Sequence, residues 1–211
     1  MAAKTDRPYH HGNLKQELID TALEMIEKEG PESITMRELA KRLDTSRTAP
    51  YRHYDSKEAL LHAATEAGEG KLDDAIRLIT QNNTLSAIDR LYRSGRAYLQ
   101  FALDHPALYK MIFSEEHDGT KKAHDTHYAT LLQLVKDAQE EGVLLKEEPA
   151  MQAAAIYSML HGLCLLEIHG HLQEEAKKIY EESFRTLLEG MAETKLKLLS
   201  SLPFGKPVYS T

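Results

Sequence analysis

The chain has 211 residues, 42% of them hydrophobic, and a formal net charge of −7, which are ordinary values for a globular protein of one or two domains. We expect no membrane span and no signal peptide, because no uninterrupted apolar run approaches the roughly 18 residues that cross a bilayer. The single cysteine, Cys164, cannot form an internal disulfide, which is typical of a reducing compartment and predicts a cytoplasmic location.

Hydrophobic residues recur at helical spacing along the whole chain, which predicts an all-α fold. The first helix is expected to be capped by Asn13 and to end at Gly30-Pro31. Thr35 and Glu38 have the spacing of a capping box, which predicts a short second helix. Five later helices are expected at about 85–104, 106–113, 124–141, 149–168 and 174–199.

The predicted second helix and the short helix that follows it have the pattern of a helix-turn-helix unit. The longer first helix would support these two short helices. The turn is expected at residues 44–46, where Asp44 must tolerate left-handed backbone geometry. The next short helix is expected to run through about His53. A longer helix should then extend from Ser56 to about Thr80.

Basic and hydroxyl-bearing residues are concentrated in this segment. Between Ser33 and Lys57 six basic residues stand against three acidic ones, although the chain as a whole is acidic. A local basic surface on an acidic body is expected when one face of a protein meets phosphate. The second short helix would present Arg47, Thr48 and Tyr51, and Arg47 can pair with guanine in a major groove.

Three stretches between Gly12 and Leu61 resemble the DNA-binding domain of the TetR family of bacterial transcription regulators. They read "HGNLKQELIDTALEMIEKEG", "ITMRELAKRLDTSRTAPYRHY" and "DSKEALL", and they match the family in spacing and residue type. The family usually has Leu-Gly-Val where this chain has Leu43-Asp44-Thr45. The resemblance places eight residues on DNA-facing positions: Arg37, Ser46, Arg47, Thr48, Ala49, Tyr51, His53 and Lys57.

The C-terminal half resembles a TetR-type regulatory domain through "HPALYKMIF" (105–113) and "LHGLCLL" (160–166). The second segment commonly reads Trp-His-Gly in the family, and Leu160 stands here in place of the tryptophan. In the family this half forms a homodimer and encloses a small-molecule pocket. The resemblance implies a helix-turn-helix domain at 1–60 with a flexible arm at 1–11, a larger helical regulatory and dimerisation domain at 61–200, and a weakly ordered tail at 201–211.

Small residues recur every fourth position in the helix expected at 149–168, and such a stripe allows close approach of a second helix. The last predicted helix carries apolar residues along one broad side. Both patterns favour a two-fold four-helix interface, and the plainer alternative is that both stripes face the core of their own subunit. The predicted interface residues are Ala154, Ser158, Gly162, Tyr180, Leu187 and Met191.

A ligand pocket in the second domain would need aromatic and sulfur-bearing walls with a few polar groups. The candidate residues come from helices that are expected to surround it: Tyr98, Phe101, Met111, Tyr128, Tyr157 and His161. Each of them is also explained as ordinary core, because aromatic residues at helical spacing commonly fill space.

Histidines and acids cluster at 117–127, which raises the question of a metal site. The residues concerned are His117, Asp118, His124, Asp125 and His127. Their irregular spacing and the absence of a neighbouring cysteine favour a polar loop, so we predict neither a metal nor a cofactor. No phosphate loop, nucleophile elbow or acid/base pair is evident either, so we expect no enzyme activity.

The sequence therefore predicts a ligand-responsive, DNA-binding transcription regulator that acts as a repressor. Its expected partners are a palindromic double-stranded DNA operator, a small-molecule effector and a second copy of the chain, with no membrane partner. Two alternatives stay open, namely a DNA-binding architectural protein without an inducer and an all-α enzyme.

Overall fold

The computed structural model describes residues 13–114 and 120–192, and of residues 120–124 it describes the backbone alone. The predicted arm at 1–11, the tail at 201–211 and the last helix beyond residue 192 lie outside the described residues. The described part is all-α, as predicted, with one isolated bridge between Leu144 and Ala192. Its α-helices are α1 Leu14–Glu29, α2 Met36–Arg42, α3 Lys57–Thr80, α4 Ala87–Asp104, α5 Pro106–Ile112, α6 Thr120–Glu140, α7 Pro149–Ile168 and α8 Ala176–Met191.

The chain divides into two compact units within α3. The first, called the head below, ends at Gly68, and the second unit begins at Glu69. In the head, α1 packs on α2 and on the segment that follows it. Its largest fully buried side chains are Leu18, Met25, Ile26, Ile34, Leu39 and Leu60.

The two predicted caps of the head have different outcomes. The Thr35 hydroxyl accepts a hydrogen bond from the Glu38 N–H at 3.1 Å, which confirms that α2 is capped there. The side chain of Asn13 makes no capping bond, so that prediction is wrong. The Asn13 carbonyl accepts the free N–H groups of Gln16 and Glu17 instead, each at 3.0 Å. The first turn of α1 thus relies on backbone bonds.

The second unit is built around α7, which contacts α4, α6 and α8. From α8, the residues that face this core are Ala176, Tyr180, Phe184 and Leu188. Tyr180 lies so close to Gly95 of α4 that a β-carbon at Gly95 would overlap its hydroxyl group. Glycine is therefore required where α4 and α8 approach.

Helix α7 is apolar around most of its circumference. Among the helices of the described ranges, α7 is the one that is long and apolar enough to cross a membrane. The sequence analysis did not predict this, because Gln152, Ser158 and His161 interrupt the apolar run of α7. One face packs into the core, as expected for a central helix of a globular unit. The other face exposes Met151 at 68% and Leu166 at 46% of their surface.

Candidate nucleic-acid interface and pocket

The turn after α2 ends the helix with a recognisable C-terminal motif. The Thr45 N–H donates to the Ala40 carbonyl at 2.9 Å, and the Asp44 N–H donates to the Lys41 carbonyl at 3.2 Å. This is the Schellman pattern, which needs a left-handed residue just past the helix end. Asp44 has φ of 51° and supplies that conformation, so the prediction for Asp44 is confirmed.

The segment after the turn is tighter than the predicted α-helix. It contains a 3-10 helix at Pro50–Arg52, preceded by a turn in which the Ala49 N–H donates to the Ser46 carbonyl at 2.9 Å. In an α-helix that carbonyl would accept from residue 50, but proline has no N–H. After Pro50 the His53 N–H bonds three residues back, to the Pro50 carbonyl, at 3.0 Å, and the Tyr54 N–H reaches the same carbonyl at 3.1 Å. Pro50 therefore accounts for the tight turn that precedes it.

Seven of the eight residues predicted to face DNA are on or near the surface of the head. Lys57 is half-buried, and the others are exposed: Arg37, Ser46, Arg47, Thr48, Tyr51 and His53. Ala49 is different, because only 8% of its surface is exposed. Ala49 packs into the head, which corrects its prediction as a DNA-facing residue.

The cations of the head fall into two groups. Arg42 forms ion pairs with Glu29 at 2.8 Å and with Glu38 at 3.2 Å, and its hydrogen bond lowers the pKa of the Glu29 carboxyl. Within the described ranges, by contrast, Arg37 and Arg47 form no ion pair, and the same holds for Lys57 and Arg52. The sequence analysis did not select the exposed Arg52, although its charge and place in the segment were a sufficient signal. These four cations remain available to phosphate and base edges.

The second unit contains a pocket between α3, α4, α6 and α7 with about 410 Å³ of space, part of it continuous with solvent. Two of the six predicted ligand residues, Tyr98 and Tyr157, belong to its wall. Tyr128 instead donates its hydroxyl to the Ala150 carbonyl at 2.8 Å, and Phe101 packs on the His105 ring. The other two predicted residues that do not line this pocket are Met111 and His161.

His161 belongs to a hydrogen-bonded cluster that adjoins the pocket wall. Its Nδ1 atom lies 2.7 Å from the Tyr109 hydroxyl and 3.2 Å from the Tyr98 hydroxyl, and Tyr109 also donates to Tyr98 at 3.2 Å. Burial raises the pKa of both tyrosines well above the ordinary value, and it raises the pKa of the Cys164 thiol to about 12. The two tyrosine hydroxyls thus remain protonated and act as hydrogen-bonding groups, and the thiol is inert.

Two further polar side chains in the pocket wall were not selected as ligand residues. His127 and Ser94 are 6% and 7% exposed, and both line the pocket. His127 Nε2 lies 2.9 Å from Asp73 Oδ1. Its Nδ1 atom and the Ser94 hydroxyl have no hydrogen-bond partner in the described part of the chain. Their place in the pocket wall could not be found from sequence, because other helices enclose Ser94 and supply Asp73 as the partner of His127.

The histidine cluster at 117–127 contributes no metal site within the described residues, which hold no group of three or more suitable ligands. His117, Asp118 and the side chain of His124 lie outside those residues. His127, which belongs to the cluster, bonds to Asp73 on α3.

The predicted dimer residues differ in their exposure. Ser158 is exposed, while Ala154 and Gly162 are half-buried on the same side of α7. Tyr180 is only 1% exposed and donates its hydroxyl to the Tyr92 carbonyl at 2.9 Å, so its prediction as an interface residue is wrong. The plainer alternative, packing within the subunit, holds for Tyr180. Leu187 and Met191 on α8 are half-buried.

Comparison with known proteins identifies both units. Residues 18–64 match the family of bacterial regulatory proteins described as tetR, and residues 91–191 match the tetracyclin repressor-like C-terminal domain. The HTH-type transcriptional regulator YobS of Bacillus subtilis (strain 168) is 25% identical over 184 residues, which cover 85% of this chain and 93% of YobS.

Two other proteins add detail. IcaR of Staphylococcus aureus (strain Newman), the HTH-type negative transcriptional regulator of the biofilm operon icaADBC, is 26% identical over 80 residues, or 38% of this chain and 42% of IcaR. The solved structure of a transcriptional regulator from Saccharomonospora viridis in complex with choline has a TM-score of 0.73 at 17% identity, covering 85% of this chain and 98% of that chain. At that identity the likeness shows the fold. The chain belongs to the TetR family of DNA-binding transcription regulators, and it is not an enzyme.

Proposed function

We propose that this protein represses transcription in the cytoplasm by binding a palindromic operator as a homodimer, and that a small molecule in the pocket of the second unit changes its operator affinity. The observation that carries the proposal is the exposed surface of the head, defined by Arg37, Arg47, Tyr51 and Lys57, where the cations have no acidic partner in the described ranges. A cation that is already paired offers little to phosphate, so unpaired cations on one surface favour nucleic-acid binding.

Within this surface, Arg47 and Lys57 have different proposed roles. Arg47 follows the turn directly, at the beginning of the segment that would enter the major groove, where an arginine pairs with guanine O6 and N7. Lys57 is the first residue of α3, whose N-terminus is capped by the Ser56 hydroxyl through the Ala59 N–H at 3.2 Å. Cation and helix N-terminus together favour a phosphate there.

The homodimer is supported by the outer face of α7. Met151, Ser158 and Leu166 are exposed on a helix whose other face is already in the core. Exposed apolar surface beside small residues suits a second helix at close range, and in a closed two-fold dimer the second helix is α7 of the other copy. Two heads would then read two half-sites about one helical turn, or a small multiple, apart.

Repression and ligand response have separate support. The named role of IcaR as a negative regulator favours repression. The pocket favours a small-molecule effector, and α3 carries both Lys57 of the head and Asp73, which bonds to pocket residue His127. If ligand changes operator affinity, then operator changes ligand affinity by the same factor.

The DNA assignment is tested by comparing Arg47→Ala with the matched control Arg42→Ala. Operators would be selected from random DNA at stated salt, and affinity would be measured by fluorescence anisotropy. We expect Arg47→Ala to weaken operator binding by about 1–3 kcal/mol and to relax preference at one base pair. Arg42→Ala should leave affinity nearly unchanged, because Arg42 is held by Glu29 and Glu38. Equal losses in the two variants would contradict the assignment.

The dimer is tested by sedimentation of Ser158→Arg, which would bury an unpaired charge in the proposed interface. We expect the dimer dissociation constant to rise at least about a hundredfold, because such a charge costs several kcal/mol. Leu78→Arg is the control, since Leu78 is exposed on α3 and not on α7. A Ser158→Arg protein that sediments as the wild type does would refute an α7 interface.

A further inference from the structure

The pocket wall contains two buried polar atoms that lack a hydrogen-bond partner in the described part of the chain, His127 Nδ1 and Ser94 Oγ. Such atoms are rare in folded proteins, because burying an unsatisfied polar group costs free energy. Both line the same pocket. Tyr98 is close to both residues. It lies one turn after Ser94 on α4, and its ring centroid is 5.8 Å from that of His127 in an edge-on arrangement. Both residues thus lie near Tyr98 in the pocket wall, and their two unpaired atoms are called the polar end of the pocket below.

The bond between His127 and Asp73 determines which chemistry that polar end offers. Asp73 Oδ1 lies 2.9 Å from Nε2, and a carboxylate accepts hydrogen bonds, so the tautomer with one ring proton carries it on Nε2. In that tautomer Nδ1 is a buried acceptor on a residue of the pocket wall, without a donor in the described part of the chain. The Ser94 hydroxyl can donate as well as accept. A ligand group that both donates and accepts would satisfy the two atoms.

The rest of the wall indicates the charge and polarity of the ligand. Ile76, Leu131, Leu134, Ile156 and Leu160 are apolar, and the described wall contains no Lys, Arg, Asp or Glu. A carboxylate ligand would bury its charge without a cation of the wall, and a cationic ligand would lack an acid there. An uncharged molecule meets neither penalty.

We propose that this pocket binds an uncharged, mainly apolar molecule with a hydroxyl group, whose O–H donates to His127 Nδ1 and whose oxygen accepts from the Ser94 hydroxyl. The proposal deepens the ligand response proposed above and rests on it for its regulatory meaning. The apolar side chains of the wall hold the body of the molecule, and the His127–Asp73 pair selects a hydrogen-bond donor.

The test uses two probes of nearly equal shape, cyclohexanol and cyclohexanone, titrated calorimetrically into the full-length protein. Both can accept a hydrogen bond, and only cyclohexanol can donate one. We expect cyclohexanol to bind about tenfold more tightly, which corresponds to about 1.4 kcal/mol. Choline and cyclohexanecarboxylate serve as the cationic and anionic probes, and both should bind more weakly than cyclohexanol.

Three variants assign the preference to named atoms. His127→Phe keeps an aromatic ring at this position but has no hydrogen-bond acceptor, and it should abolish the preference for the alcohol. Ser94→Ala should reduce that preference. Thr130→Val is the matched control, because Thr130 also lines the pocket but its hydroxyl already donates to the Thr126 carbonyl at 3.0 Å. The control should keep the wild-type preference.

Several results would overturn the proposal. These are equal affinity for the alcohol and the ketone, no binding of cyclohexanol up to its solubility limit, or stronger binding of either charged probe. Equal affinity would mean that bound water satisfies the two atoms. The wild-type comparison stands even if His127→Phe fails to fold, since it requires no variant.

Operator binding is measured in parallel, so that the two proposals can fail separately. A clear alcohol preference with no change of operator affinity on adding cyclohexanol supports this inference and contradicts the proposed ligand response. Normal operator binding by a dimer that shows no alcohol preference overturns this inference alone.

Discussion

The head and the second unit hold their polar side chains in opposite ways. In the head, Arg47 and Tyr51 stand outside the packed core, whose buried side chains are apolar apart from Thr65 and the hydroxyl of Tyr54. In the second unit, Tyr98 and Tyr109 are buried and share hydrogen bonds with His161 beside the pocket. A side chain that contacts only solvent can be changed without cost to folding, whereas a buried hydroxyl contributes to packing and to recognition together.

The comparison teaches that binding and stability should be separable in the head and coupled in the second unit. Four sets of substitutions test this, each measured by urea unfolding at one fixed protein concentration, because the proposed dimer would make stability depend on concentration.

The largest effect is expected for Gly95→Ala in the second unit. The new methyl group would overlap the Tyr180 hydroxyl and lie 3.0 Å from its ring carbon Cζ, so Tyr180 must move and lose its bond to the Tyr92 carbonyl. We expect a loss of about 2 kcal/mol of unfolding free energy, even though alanine is the better helix former. In a Tyr180→Phe background, which removes that hydroxyl, the same substitution should cost less. Equal costs in the two backgrounds would show that Gly95 and Tyr180 do not interact.

A pair of tyrosine substitutions makes the comparison directly. Tyr109→Phe removes a hydroxyl that lies 2.7 Å from His161 Nδ1, and should lower the unfolding free energy by about 1–2 kcal/mol. Tyr51→Phe in the head removes an exposed hydroxyl and should change stability by less than about 0.5 kcal/mol while weakening operator binding. If Tyr51→Phe destabilised the protein as much as Tyr109→Phe, the distinction between the units would fail.

Removing a helix cap should cost the same unfolding free energy in both units. Thr35 in the head and Ser86 in the second unit each accept a backbone N–H three residues on, at 3.1 and 3.2 Å. Replacement of either by alanine should cost about 1 kcal/mol, since an N-cap acts locally. A cost confined to one unit would show that its helix ends are held by tertiary contacts.

The smallest effect on stability is expected for Lys57→Ala, which should change the unfolding free energy by less than about 0.5 kcal/mol. It should weaken binding to all duplexes similarly and flatten the salt dependence of affinity by about one unit of slope. Titrations of specific and random duplexes at several salt concentrations measure both. An unchanged slope would mean that Lys57 contacts no phosphate.

The sequence predicted those features that depend on neighbours along the chain. The α2 cap at Thr35 and the left-handed Asp44 were predictable because a few adjacent residues determine them. The segment after the turn was predicted as an α-helix, and the missing N–H of Pro50 explains why the turn before it is tighter than that.

The features that depend on several helices could not be predicted in the same way. Tyr180 fits an apolar stripe that runs toward Leu187, yet the packing of α8 turns Tyr180 into the core and leaves Leu187 half-buried. His161 was expected to contact ligand, while His127 was considered as a metal ligand. The crossing of α3 and α6 brings His127 to Asp73, and no spacing within either helix records that contact.

The apolar surface of α7 has a consequence for folding during synthesis. Because α4 and α6 precede α7 in the chain, two of the packing partners of α7 are synthesised before this apolar helix. The third partner, α8, is synthesised last. Until α8 packs against it, nascent α7 exposes apolar surface that chaperones can recognise. The interval between the appearance of α7 and the packing of α8 is therefore when a new molecule is most exposed to aggregation.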